Sequence, residues 1–539
     1  MSQPRFNGKT VLDIAEFLSK ASAYFEFTRP GKFDLQNSQN SIINISLDSR
    51  QITQNDLFFA VQGETRHGID FLANVLDKLP GLVICDRELT EQENTLLHES
   101  DSICEVWIVE DISQFIGDFA SWFYNYPSQN IKVVGITGTN GKTSTAFYTG
   151  QLLKSFGKKV ALIGTLGNGP IDAIQQSTNT TPESVTVHRL LHEFYQQGVE
   201  WVIMEVSSHG LCLGRIQGVS FQTVALTQVT RDHIDFHGTE EAYQQAKAKL
   251  FSDYKTQNQV LNMDDSLGEQ LCVDAKANHE TGVWCYNANA ENLDRSADLV
   301  CTESHLNPEG IVFDAQLKEQ ASVKGVQLPL MGLFNLENVF CACSILLVND
   351  FNAKQLFNHL STLTSVAGRM QILAKSTEST KSPTIILDFA HTPDALQQIL
   401  MAIKAHLKDS AGKLTVVFGC GGNRDQGKRP LMGKIAENLA DKVMLTSDNP
   451  RDEEPQQILL DIVNGLSQPQ KAAKELDRQQ AILSVLNSVT ADDIVVIAGK
   501  GHENYQEIKG QKISYSDANV VNGWLNTLQR KTGKEPKTL

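Results

Sequence analysis

The chain has 539 residues, a net charge of −16, 41% hydrophobic residues and 20% charged residues. That length exceeds what one hydrophobic core organises, so about three or four domains are expected, and the hydrophobic fraction excludes a disordered chain. The acidic balance excludes a nucleic-acid binder, whose phosphate contacts need Lys and Arg, yet leaves room for a local basic pocket around a small anion.

No stretch reaches the ~18 apolar residues of a membrane span, and MSQPRFNGKT does not read as a charged-then-apolar leader. The nine cysteines form no CxxC, so reduced, packed thiols in a cytoplasmic protein are expected, with no zinc or redox site. Strand-like apolar runs alternate with helix-length amphipathic stretches, which predicts α/β architecture with parallel sheets. Two breaks, Tyr126 to Asn130 and Val366 to Met370, divide the chain into 1–130, 131–367 and 368–539.

In the first segment, Leu47-Asp48-Ser49-Arg50 and His67-Gly68-Ile69-Asp70-Phe71 flank the apolar run Asp56 to Ala60. This reads either as a ligand pocket or as a turn and an edge strand.

The second segment opens with Lys132 to Thr145, KVVGITGTNGKTST. A β-rich run through Val133, Val134 and Ile136 enters the turn Gly138-Thr139-Asn140-Gly141, and Lys142-Thr143-Ser144 opens a helix. Backbone N–H groups and a helix N-terminus facing an anion make a phosphate-binding loop. Lys142 is placed to reach the β/γ-phosphates of ATP, and Thr143 to hold Mg²⁺. Ile136 stands where the general motif has its first glycine, so the GTNGKT loop is a narrower signature. Downstream, Ser177-Thr178-Asn179-Thr180-Thr181-Pro182 is a hydroxyl-rich turn suited to capping the next helix and donating to a phosphate. The buried-strand pattern Trp201 to Met204 ends in Glu205-Val206-Ser207-Ser208-His209-Gly210. Glu205 is therefore either a strand-end acid for Mg²⁺ or a solvated loop carboxylate. His209 could orient substrate, bind metal or cap. After the strand Thr223 to Thr227, a helix is predicted over Thr239 to Phe251, with Tyr243, Lys247, Leu250 and Phe251 on one face and Lys249 elsewhere. A lysine on an apolar face either snorkels out or loses its proton, and a neutral amine near Mg²⁺ can add CO₂ to become a carbamate. Asn335 and Asn338, ahead of a helix predicted over Val339 to Val348, suit either an adenine edge or a helix cap.

In the last segment, strands ending at Asp388, Phe418, Leu445 and Ala498 each run into a polar, glycine-containing turn. That is the layout of an open α/β sheet with a ligand crevice. Arg424 and Arg451 suit bidentate carboxylate binding, and Asp448 and Glu503 suit an ammonium. Both signs of charge in one crevice indicate an amino-acid ligand.

Taken in order, GTNGKT, NTTP, EVSSHGL, TRDHIDFHG with AKAKLF, GLFNLEN, GRM, DFAHTPDAL, FGCGGNRDQGKRP, SDNPRDEEP and AGKGHENYQ resemble the Mur ligases, from Leu47 to about Asp517. The resemblance implies three domains: an N-terminal UDP-binding domain over 1–130, a central P-loop ATPase domain with a parallel sheet over 131–367, and a C-terminal Rossmann-like, amino-acid-binding domain over 368–539. It implies that Leu47, Ser49, Glu64, Thr65 and Arg66 meet the uridine nucleotide, and that Asn179, Thr180, Thr181, Ser207 and Arg215 meet the sugar-peptide and diphosphate. It places Lys247 where the family carries a carbamylated lysine, and Glu205 and His233 at metal positions. Asn335 and Asn338 match the ATP-contacting asparagines. Arg424, Asp448, Asn449, Pro450, Arg451, Gly499 and Glu503 match the site of the incoming amino acid.

The DNPR turn looks like the form that takes meso-diaminopimelate, whose extra carboxylate an arginine fork would bind. The activity implied is amide ligation to UDP-N-acetylmuramoyl-L-alanyl-D-glutamate in peptidoglycan synthesis, with ATP and Mg²⁺, by a monomer without nucleic-acid or membrane partners. The same chemistry on lysine or on a folate glutamate tail is the alternative acceptor. A P-loop switch acting on a partner protein is the alternative class. Leu213 stands where the family often has a glutamine on the sugar-peptide, and Gln228 replaces an asparagine ahead of Arg231-Asp232-His233.

Overall fold

The structure, a computed structural model, describes residues 8–21, 25–26, 41–63, 65–100, 104–277, 282–291, 296–318, 322–375, 382–408 and 410–531. It divides into two compact units, Met1–Trp284 and Cys285–Leu539.

The first unit holds the two-stranded pair Lys9–Thr10 with Ser41–Ile42 and two larger sheets. One has five strands in the order Phe25–Glu26, Glu105–Val109, Leu82–Cys85, Leu57–Ala60, Ile45–Ser46, with only Phe25–Glu26 antiparallel to its neighbour. Its inner strands, LFFA and LVIC, are wholly buried because both faces are covered. Leu57, Phe59, Leu82 and Ile84 enter one core, while Phe58, Ala60, Val83 and Cys85 enter the other. The first of these cores also takes in Val185, so this sheet's helix Ile116–Phe123 and the helix Ser184–Gln196 share one core. Tyr124 O accepts from the His192 ring at 3.1 Å across the same contact. The predicted break at Tyr126 is a sharp backbone turn, with Asn125 and Tyr126 both left-handed before Pro127.

The second sheet of this unit runs Gly167–Pro170, Val160–Gly164, Trp201–Glu205, Lys132–Thr137, Phe221–Leu226, Thr256–Asn262, parallel apart from the first strand. The phosphate-loop strand is thus central, and the chain leaves it first towards one side and later towards the other. Loops at the carboxyl ends around such a switch point form a natural crevice.

In the second unit, the antiparallel ladder Leu299–Asn307, Gly310–Leu317, Val323–Leu328 leads to the buried helix Leu333–Leu347. That helix begins at Leu333, not at Val339 as predicted: Gly332, at φ +83°, makes the turn, so the asparagines lie inside the helix. The last sheet places Thr384–Asp388, Ile494–Ala498, Leu414–Phe418 and Lys442–Leu445 side by side and parallel, so the four predicted turns share one edge. The architecture is α/β with parallel sheets, as expected. No helix among the described residues is long and apolar enough to cross a membrane.

Candidate functional site

The GTNGKT loop is held by its neighbours in the sheet. Gln228 O accepts from Thr139 N at 2.6 Å, and Thr227 Oγ1 donates to Asn140 O at 2.6 Å. Gly138 takes φ +150°, and a Cβ there would stand 2.0 Å from Thr227 Oγ1, so the loop passes this wall only as glycine. The departure at Gln228 is tolerated for the same reason: its carbonyl serves the loop while its side chain is exposed. Gly141 ends the turn at φ +86°, and the helix Lys142–Ser155 starts with its N-terminus at the loop.

Thr143 and Glu205 come together as predicted, from the start of that helix and the end of the neighbouring strand. Thr143 Oγ1 donates to Glu205 Oε2 at 2.8 Å, and Glu205 also accepts from Thr165 N at 2.8 Å and Thr165 Oγ1 at 3.1 Å. Glu205 is buried, which rules out the solvated loop carboxylate. Two hard oxygens 2.8 Å apart fit Mg²⁺, whose adjacent octahedral ligands at ~2.1 Å lie about 3 Å from each other. Thr165 was not expected from the sequence; a lone threonine after a strand carries no signal.

Lys247 lies on the buried face of the helix Glu240–Ser252, which Thr239 caps. It is 1% exposed, so it does not snorkel. Its Nζ donates to Gly138 O at 2.7 Å and stands 4.5 Å from the Tyr243 ring centre. Lys142 Nζ donates to the same carbonyl at 2.9 Å and to Thr139 O at 2.9 Å. Burial, and then the charge of Lys142, push the Lys247 amine down to about 6, so it is largely neutral near pH 7. Tyr243 OH shares a hydrogen bond of 2.7 Å with Thr139 Oγ1, tying this helix to the loop.

His233 takes a left-handed backbone, with Nε2 3.5 Å from Asp232 Oδ2 and its ring edge-on to His209 at 4.8 Å. His209 also packs on Phe236 at 4.1 Å, and its pKa is lowered by burial and then by His233.

The hydroxyl turn closes onto the same strand end. Thr181 Oγ1 donates to Glu205 O at 2.9 Å and lies 3.1 Å from Ser207 Oγ, while Arg215 Nη1 donates to Thr181 O at 3.0 Å. Thr180 Oγ1 lies 3.0 Å from Thr165 Oγ1, and Ser177 Oγ donates to Asn179 O. The helix that follows is capped by Glu183 and not by this turn. Leu213, at the end of the helix Ser208–Cys212, is exposed.

In the first sheet, Leu47 and Ser49 follow its edge strand Ile45–Ser46, and Lys78 Nζ donates to Ser49 O at 2.8 Å. Thr65 and Arg66 are exposed, with Gly63 N donating to Arg66 O at 3.0 Å, whereas Glu64 lies outside the described residues. The apolar run between these polar turns, Leu57–Ala60, is an inner and wholly buried strand, so the edge-strand reading of it fails; the edge is Ile45–Ser46.

In the second unit, Asn335 and Asn338 are buried on the helix Leu333–Leu347, and Asn335 Nδ2 donates to Met331 O at 2.8 Å. The predicted amino-acid residues gather at the carboxyl edge of the last sheet. Asn449 Nδ2 donates to Glu503 Oε2 at 3.0 Å, and Lys500 Nζ reaches Asn449 Oδ1 at 3.0 Å and Glu503 Oε2 at 3.1 Å. Asp448 is buried and its pKa is raised by that burial, against the pull of Arg478 and Lys500. A Cβ at Gly499, φ +113°, would stand 2.5 Å from Asp448 Oδ2. Arg451, at φ +51°, donates from Nε to Glu507 Oε2 at 2.9 Å and from Nη1 to Gly422 O at 2.9 Å. Arg424 is exposed, and its Cγ and Arg451 Nη1 both neighbour Gly421. Three residues unforeseen in the sequence fix this edge. Arg429 joins Glu453, Asp461 and Gly421 O, Arg478 pairs with Asp517, and Lys500 pairs with Glu503. The carboxylate partners of Arg429 and Arg478 are 24 to 39 residues away, at spacings no motif announces, whereas Lys500 and Glu503 are three apart inside AGKGHENYQ.

Two family models match. The Mur ligase middle domain spans residues 136–346, and the Mur ligase, glutamate ligase domain spans 368–501. The UDP-N-acetylmuramoyl-L-alanyl-D-glutamate–2,6-diaminopimelate ligase of Pseudomonas syringae pv. tomato is 39% identical over 476 residues, covering 88% of this chain and 93% of that protein. The chain belongs to the Mur ligase family. The enzyme of the same name from Chromobacterium violaceum is 38% identical over 494 residues, covering 90% and 95%. A solved structure of a ligase of that name superposes with a TM-score of 0.70 at 32% identity, covering 93% of this chain and 98% of that one. A MurF ligase from Thermotoga maritima in complex with ADP shares the fold alone, at a TM-score of 0.54 and 17% identity. The chain is a ligase with the three-domain Mur architecture.

Proposed function

We propose that the chain joins meso-2,6-diaminopimelate to the D-glutamate γ-carboxylate of UDP-N-acetylmuramoyl-L-alanyl-D-glutamate, at the expense of ATP, in peptidoglycan precursor synthesis. The observation that carries this reading is the presence on one sheet edge of both an arginine fork, Arg451, and a carboxylate, Glu503, in a chain whose other site is a phosphate loop. The relatives at 39% and 38% identity bear the name of this reaction.

The substrate γ-carboxylate attacks the γ-phosphorus of ATP in line and ADP leaves, giving an acyl phosphate. The amine of diaminopimelate attacks the acyl carbon; the tetrahedral intermediate expels phosphate, and the nitrogen loses a proton. Loop N–H groups, Lys142 and the helix N-terminus orient the triphosphate. Ser144 and Asn140 belong to the same loop, and Asn335 and Asn338 would serve the nucleotide. Thr143, Glu205, His233 and Lys247 as its carbamate would hold Mg²⁺, which neutralises charge on the transferring phosphoryl group. The carbamate forms when neutral Lys247 Nζ adds to CO₂ and releases a proton; an amine held near 6 is ready for that addition at physiological pH.

Leu47, Ser49, Glu64, Thr65 and Arg66 would meet the uridine nucleotide. Asn179, Thr180, Thr181, Ser207 and Arg215 would meet the sugar-peptide. The domains would divide at 1–130, 131–367 and 368–539, and the protein would act as a cytoplasmic monomer. The deciding experiment measures phosphate release from ATP with the UDP-dipeptide present, comparing meso-diaminopimelate with L-lysine. Release and a tripeptide product with diaminopimelate alone are expected. Release with lysine would overturn the assignment of Arg451, and release with neither would overturn the reaction.

A further inference from the structure

The selectivity turn Asp448 to Arg451 does not hold itself. The strand Tyr505–Ile508, half of a hairpin with Gln511–Ser514, grips it at successive points. Gln506 Nε2 donates to Asp448 O at 2.8 Å, and Glu507 N donates to Asn449 Oδ1 at 3.0 Å. Arg451 N donates to Glu507 O at 3.0 Å, and Lys509 N donates to Arg451 O at 2.8 Å. Arg451 Nε then donates to Glu507 Oε2 at 2.9 Å, a side-chain bond on top of the backbone ones. An arginine at φ +51° is in sparsely populated backbone space, and such a conformation persists only where the surroundings over-determine it. Glu507 thus meets Arg451 through both its main chain and its side chain, beside Lys509 N and Gly422 O.

The guanidinium has five N–H donors in a rigid fork. Glu507 engages Nε, and Gly422 O takes one donor of Nη1. A carboxylate approaching the side edge, Nε with Nη2, meets Glu507 already there. Among the described residues Nη2 has no hydrogen-bond partner, so the end edge, Nη2 beside Nη1, still offers donors to a ligand. We propose that Glu507 is a positioning residue for amino-acid selection: it aims Arg451 so that the end edge of the fork meets the far carboxylate of the incoming diamino acid. This rests on the reading of Arg451 given above. Glu507 lies outside every motif that marks the crevice in the sequence.

The test is steady-state kinetics on the full chain. Glu507→Ala is expected to raise KM for meso-diaminopimelate about tenfold while kcat at saturation and KM for ATP stay put, as befits loss of one charge-assisted bond that only orients a second. Glu507→Gln, which keeps an oxygen acceptor, should recover part of that loss. In an Arg451→Ala background, Glu507→Ala should add less than about twofold, because the two act as one unit. If Arg451→Ala raises KM for diaminopimelate and Glu507→Ala does not, the positioning role is wrong and the Arg451 reading stands. If Arg451→Ala leaves that KM unchanged, the reading of Arg451 falls and takes the proposal with it. Equal rises in both KM values, a lowered melting temperature, or additive losses in the double variant would mean that Glu507 is only structural.

Discussion

The phosphate-loop site and the C-terminal crevice treat positive charge in opposite ways. At the loop, Lys142 and Lys247 both donate to the carbonyl of Gly138, and burial first, then the charge of Lys142, pushes the Lys247 amine down to about 6. In the crevice, each of four cations meets a carboxylate: Arg429 with Glu453 and Asp461, Arg451 with Glu507, Arg478 with Asp517, Lys500 with Glu503. A site that leaves cationic groups on main-chain carbonyls is prepared for a polyanion. A site that pairs its charges in advance is prepared for a zwitterion, which exchanges partners and adds little net charge. The difference teaches that ligand charge is legible from how a site neutralises itself, beyond which residues it contains.

The strongest way to break this comparison is at Lys247. Lys247→Ala should lower turnover on the order of 10²- to 10³-fold without unfolding the chain, with partial recovery on adding short carboxylic acids that replace the carbamate. Full activity in that variant would remove the anionic lysine from the mechanism. Next is Arg451→Ala, expected to raise KM for diaminopimelate by about 10- to 100-fold and leave KM for ATP alone, since the ligand carboxylate would lose charge-assisted bonds to a half-buried fork. Equal loss of both would mean that the crevice had collapsed.

A subtler effect concerns pH. The Lys247 amine falls from 10.5 to about 6 on folding, so the folded chain binds fewer protons than the unfolded one between those values. In CO₂-free buffer its contribution to stability therefore rises with pH across that window and is flat below about 6; Lys247→Met should remove the slope in urea titrations. By the same shift, ¹³C-labelled CO₂ should give a carbamate signal at a lower pH than an ordinary lysine does, because the neutral amine is available there. The smallest change is Leu213→Gln. Leu213 is exposed, so stability should not move, and KM for the nucleotide substrate should fall a few-fold if the lost contact is restored.

The sequence made the local machinery readable. Gly138, Lys142, Thr143 and Glu205 sit at a strand end and a helix start, where spacing implies geometry, and the place of Lys247 on the apolar face followed from the 3.6-residue period, though whether it snorkels did not. The four parallel strands of the last sheet were equally plain, because each apolar run ends in a glycine turn. What was hidden is what pairs through space. Thr165 on Glu205 and Arg478 on Asp517 join residues about 40 apart. Arg451 and Glu507 are farther apart still, at 56. The helix starting at Leu333 was read too short because Asn335 and Asn338 are poor helix formers that tertiary burial overrides. The shared core of the first sheet and the helix Ser184–Gln196 was invisible for the same reason.

The left-handed turn at Arg451 separates two kinds of selection. Glycine there would relieve about 1 kcal/mol of backbone strain but forfeit the side-chain bonds to Glu507 and Gly422 O, which are worth at least as much. Selection for stability alone is therefore nearly indifferent to the arginine, whereas selection for use of the far carboxylate keeps it. A lineage that no longer needs that carboxylate has little to hold a strained residue at this position.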